Sequence, residues 1–127
     1  MGVEVGFLWL AEVLMFTALG IFVRAFQVRR SDNALHQRLG KLGALIVVVG
    51  LVAVEVLARG LGWKFPVRSR TILHVHVTVA SFALAALVAL VVTGMKGPLA
   101  VHRRLWIAFF PLYVATCVLS LLAFQLF

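Results

Sequence analysis

Residues 71–93 read TILHVHVTVASFALAALVALVVT, and this stretch decides the class of fold. It holds no Asp, Glu, Lys or Arg. An apolar run of about 18 or more residues with few or no charges reads as a membrane-crossing helix. Lipid offers no partner to backbone N–H and C=O groups, so such a run must close its hydrogen bonds within itself. Two polar interruptions, His74 and His76, stand near its start, and an apolar helix has no need of either.

Three further runs of similar character flank it, at about 6–26, 42–58 and 105–127. The connectors are short and polar: RRSDNALHQRLGK (29–41), RGLGWKFPVRSR (59–70) and GMKGPLAVHRR (94–104). In the first, Asp32 or Asn33 is placed to cap a short helical extension carrying His36. Short connectors make consecutive helices antiparallel neighbours. The expected fold is therefore an all-α integral membrane protein, an antiparallel up-down bundle of four transmembrane helices. Residues 1–127 form one domain in this reading. The N-terminal run lacks a basic leader and a small-residue cleavage site, so it reads as a retained helix rather than a signal peptide.

Composition agrees. Hydrophobic residues make up 64% of the chain, mean hydropathy is +1.12 and only 13% of residues are charged, against about 45–50% apolar and about 25% charged in soluble domains. The net charge of +8 would suggest nucleic acid in a soluble protein. Here the basic residues flank apolar runs, which fits a lipid surface and not a nucleic-acid partner. The single cysteine, Cys117, lies in an apolar run and forms no CxxC pair.

The basic residues also orient the bundle. Arg24, Arg29, Arg30, Arg38, Lys41, Lys96, Arg103 and Arg104 belong to the first and third connectors and their helix ends; Arg59, Lys64, Arg68 and Arg70 belong to the second. Eight against four places the first and third connectors in the cytoplasm and both termini outside.

This orientation sorts the ionisable residues into two layers. His36 and His102 fall on the cytoplasmic side. Glu12, Glu55, His74 and His76 fall near the outer side. Carboxylates and histidines inside a membrane mark sites by default, because burying them is costly unless they pair or bind something. Carboxylate with imidazole suits a transition metal; imidazoles on facing helices suit haem iron. The competing explanations are a structural Glu–His pair, or snorkelling at the headgroups. Residues two apart on a helix differ by about 200°, so His74 and His76 cannot share one ion unless the start of the helix is unwound. The His74 stripe carries the hydroxyls of Thr78 and Ser81, which favours His74 as the inward residue.

From LHQRLGKLG (35–43) onward the chain resembles the CtaM/YozB-like four-helix membrane proteins, a domain-of-unknown-function family linked to assembly of haem–copper cytochrome oxidases. The residues that carry the resemblance are His36 with Arg38, His76, and the stretch VHRRLWIAFFPLYVATCVLS (101–120), with His102, Arg103, Arg104, Pro111, Tyr113 and Val114. It covers about the last three quarters of the chain. It implies that His36, His76 and His102 are haem or metal ligands, and it points to His76 over His74. Family members carry a further histidine near the outer end of the second helix, where this chain has EVLARG (55–60), so Glu55 would substitute. The resulting expectation is a pair His36/His102 for a cofactor, haem or copper, and an outer metal cluster of His76, Glu12 and Glu55, with His74 as the alternative ligand.

Three functions follow as expectations. The first is a maturation factor for a haem–copper respiratory oxidase in the bacterial inner membrane. The second is a small accessory subunit of a larger respiratory or photosynthetic complex. The third is a small b-type cytochrome, which needs a histidine pair for each haem. No nucleophile–base pair, phosphate loop or HExxH motif is present, so an enzyme is not expected.

Overall fold

The computed structural model describes residues 2–126. Four helices account for most of them: α1 (Val3–Gln27), α2 (Asn33–Glu55), α3 (Arg70–Lys96) and α4 (Leu99–Ala123). A wide π-helical turn, Val56–Gly60, continues α2. All four spans are long and apolar enough to cross a membrane, with 25, 28, 27 and 25 residues when the π turn is counted with α2. At about 1.5 Å per residue they measure about 38–42 Å, which exceeds the roughly 30 Å hydrocarbon core. The protein is a multi-pass membrane protein of the expected all-α class.

The chief departure from the sequence reading is where α2 and α4 begin. Both helices start before their apolar runs, at Asn33 rather than about 42 and at Leu99 rather than about 105. Asp32 explains the first: its carboxylate accepts the Leu35 N–H at 3.0 Å and starts the helix within the polar connector. Pro98, with its fixed φ, stands just before the first residue of α4. His36 and His102 thus sit on regular helix, one turn in from each start. Ser69 caps α3 in the same way, accepting Ile72 N–H at 3.2 Å.

α1 packs mainly on α2, and α3 mainly on α4, giving two antiparallel hairpins. The hairpins meet more sparsely, through α1 with α4 and α2 with α3. Their shared core is aromatic. Phe22 lies edge-on to Phe109 (5.2 Å between ring centres) and Tyr113 (5.5 Å), and Trp106 packs against Phe109 at 5.9 Å. Gly43 makes this possible: a Cβ there would lie 2.5 Å from the Phe22 ring. The outer faces of the helices carry exposed Leu, Val and Phe, as a lipid-facing surface requires.

At the end formed by the α2–α3 connector, a backbone clasp closes the bundle. Arg68 N–H donates to the Ala123 carbonyl (2.7 Å), Gln125 N–H to the Pro66 carbonyl (2.9 Å), and the Trp9 indole to the Leu126 carbonyl (2.9 Å). Val67 and Phe124 pair in antiparallel fashion within it. Phe7, Trp63 and Phe65 gather beside the clasp, with ring centres 6.1–6.4 Å apart. The opposite end, where α1 meets α2 and α3 meets α4, has no such closure among the described residues and carries most of the arginines.

Candidate functional site: a two-histidine groove

The basic end of the bundle holds an open groove of about 980 Å³ to which all four helices contribute. His36 of α2 and His102 of α4 line it together. Their ring centres are 6.1 Å apart and their planes cross at 86°. Each ring is aimed by a backbone carbonyl of another helix. His36 Nδ1 lies 2.7 Å from Ala25 O on α1, and His102 Nδ1 lies 2.8 Å from Leu90 O on α3. A carbonyl only accepts, so each Nδ1 carries the proton and donates it. Thr93 Oγ1, 3.2 Å from His102 Nδ1, directs its own proton to Ala89 O and accepts there too.

With Nδ1–H so placed, each Nε2 keeps its lone pair, and neither has a hydrogen-bond partner among the described residues. An Nδ1–H held by a backbone carbonyl is the arrangement that orients and strengthens metal-ligating histidines. Gly94 permits it at His102: a Cβ on residue 94 would lie 3.0 Å from His102 Cε1 and 3.3 Å from Nδ1.

Trp106 forms the floor, 6.2 Å from the His36 ring and 6.4 Å from the His102 ring. Its indole N–H is buried and has no partner. A buried orphan donor in a wall of the groove is a group that a ligand can satisfy. Two imidazoles anchored through Nδ1 and an accommodating volume fit a metal centre held by two histidines, haem iron included.

The rim is cationic. Arg29 is engaged, donating to Phe26 O at 2.7 Å with its guanidinium 3.7 Å from the Phe26 ring centre. Arg30, Lys41 and Arg103 also line the groove and make no salt bridge among the described residues.

The expected outer metal cluster does not assemble. Glu55 is half exposed and pairs with Arg59 at 2.7 Å, one turn along its own helix, so it does not face the interior. His74 is exposed, its stripe turned outward. His76 does turn inward, with Nδ1 3.0 Å from Thr116 O on α4 and its ring beside Phe124. Glu12 is buried and accepts a hydrogen bond from Ser120 Oγ, while its Oε2 has no partner. Among the described residues no three His, Cys, Asp or Glu side chains come together as a metal site. The physical reason is local pairing: an Arg four residues after Glu55 satisfies it at the surface, and the Thr78 and Ser81 hydroxyls bond the carbonyls of His74 and Val77 on their own helix. Those hydroxyls need no buried partner and so do not mark an inward face.

Sequence reasoning overlooked Trp106, Gly94, Thr93 and the carbonyls of Ala25 and Leu90. Only the packing of neighbouring helices reveals these roles. No family model, curated protein or solved structure matches the chain significantly, so the assignment of this groove rests on its geometry.

Proposed function

We propose that the protein binds haem in the membrane through His36 and His102 and serves the maturation of a haem–copper oxidase. The observation that carries this reading is the relation of the two rings. Two imidazoles that ligate one metal from opposite sides, each through a bond of about 2 Å, bring their ring centres to about 6 Å. The rings here are 6.1 Å apart, on different helices, each with Nδ1 anchored. Haem iron with two histidine ligands supplies one-electron chemistry, or a fully ligated form in which haem is carried safely. The link to oxidase assembly, and with it the bacterial inner membrane and the cytoplasmic placement of the groove, comes from the resemblance to the CtaM/YozB-like proteins and from the arginine and lysine bias.

A transmembrane electron-carrying cytochrome is less well supported, because it needs a second histidine pair near the other surface. There only His76 faces inward, and His74 points away. The remaining alternative, a small subunit packed into a larger complex, needs part of the exposed apolar surface to be covered by a partner rather than lipid.

Absorbance and metal analysis of the purified protein, as expressed and after titration with iron protoporphyrin, test the proposal. The expected result is a Soret band with low-spin, six-coordinate character that is lost in His36→Ala and in His102→Ala. A protein that takes up no haem, or takes it up equally well without either histidine, sinks it.

A further inference from the structure

We infer that the groove selects a carboxylate-bearing tetrapyrrole rather than a bare metal ion, with Arg30, Lys41 and Arg103 holding the acid groups at its rim. The inference rests on the two-histidine reading and names the ligand class of that same site. Three observations carry it. The groove, at about 980 Å³, lies at the upper end of the size of small-molecule sites; a lone metal ion on two imidazoles would leave nearly all of it unfilled. Its inner wall is apolar and aromatic, with Phe22, Leu87, Leu90 and Trp106, which suits a flat hydrophobic body.

The third observation is charge. The described chain has four acidic residues, and none neutralises the rim. Glu55 pairs with Arg59, and Glu12 is buried against Ser120. Glu4 lies in the first turn of α1, at the clasp end. Asp32 is at the groove's end, where it caps Leu35 N–H and forms no salt bridge. Arg24 and Arg29 are taken up by Gln27 and Phe26. Arg30, Lys41 and Arg103 stay uncompensated around an apolar pit that contains two ligating nitrogens. A molecule that is apolar in its body, anionic at one edge and metal-bearing at its centre satisfies all three regions at once. Charge-assisted contacts of Arg and Lys with carboxylates are the strong kind of hydrogen bond.

The test uses the full-length protein in a neutral detergent without anionic lipid. Iron protoporphyrin IX and its dimethyl ester, which has the same ring and iron but no acid groups, are titrated separately and followed at the Soret band. The free acid should bind at least about tenfold more tightly than the ester. The triple variant Arg30→Gln, Lys41→Gln, Arg103→Gln should lose about that factor for the acid and less than twofold for the ester. Equal binding of acid and ester, with a normal Soret band, overturns the rim's role and leaves the histidine site standing. The same holds if the triple variant binds the acid as the unaltered protein does, in which case the cations serve the lipid surface. Failure of both porphyrins to bind overturns the histidine reading and this inference with it.

Discussion

The hydroxyl of Tyr113 on α4 donates a 2.8 Å hydrogen bond to the carbonyl of Met15 on α1. It crosses the sparse junction between the two hairpins, beside the fully buried Phe22 ring. Hydrogen bonds between membrane helices average about 0.6 kcal/mol and reach about 1.7. Tyr113→Phe keeps the ring packing and should cost about 0.5–1.5 kcal/mol in unfolding from mixed micelles. A loss above about 3 kcal/mol would mean that the hydroxyl holds more than this one contact.

Gly43 and Gly50 lie on the same helix and should respond in opposite directions to alanine. A Cβ at 43 would meet the Phe22 ring at 2.5 Å, whereas nothing lies within 4 Å of the position it would take at 50. Phe22 is clamped between Phe109 and Tyr113 and cannot move aside. Gly43→Ala should destabilise by about 1–3 kcal/mol through overpacking. Gly50→Ala should be neutral or stabilise by up to about 1 kcal/mol through the better helix propensity of alanine. Parallel denaturation curves for the two variants decide it.

Much of this fold is legible in the sequence, because apolar length alone dictates membrane helices and short connectors dictate antiparallel neighbours. The early start of α2 was legible in part, since Asp32 is a capping residue. The inward or outward sense of polar groups was not. The hydroxyl stripe after His74 suggested a buried face, yet Thr78 and Ser81 satisfy their own helix. Glu55 invited a role in the interior, yet the Arg four residues on was a visible partner. The setting of His36 and His102 depends on a carbonyl of α1 and on a glycine and a carbonyl of α3, and no local pattern encodes that.

Gly94→Ala should disturb the site while leaving the fold intact. The added methyl group would press on the His102 ring at 3.0 Å and displace it from the Leu90 carbonyl. Loss of such ligand-supporting contacts typically weakens metal sites by about 10- to 100-fold. The expected outcome is a haem affinity reduced by about that factor, with far-ultraviolet circular dichroism unchanged. Unaltered affinity would show that the anchoring of Nδ1 is irrelevant to ligation.

Ser120→Ala and Glu12→Leu separate a satisfied polar group from a tolerated one. Removing the Ser120 hydroxyl leaves the buried Glu12 carboxyl with neither oxygen partnered by a side chain, which should cost about 1–3 kcal/mol. Replacing the carboxyl itself by an apolar side chain removes the need for a partner and should cost less. Melting temperatures in the reverse order would assign Glu12 a stabilising partner other than Ser120.

Membrane orientation can be read from labelling of single cysteines introduced by Ser31→Cys and Lys64→Cys, with buried Cys117 unreactive. The charge bias predicts that position 64 reacts with an impermeant reagent added outside and position 31 does not. The reverse pattern turns the groove toward the outer surface.

The clasp around Val67 and Phe124 closes one end of the bundle with backbone hydrogen bonds and leaves the other end to side-chain contacts. In shape the bundle resembles a clothes-peg, with the backbone clasp as the spring and the open groove between the jaws. The jaws are the helix ends that carry His36 and His102.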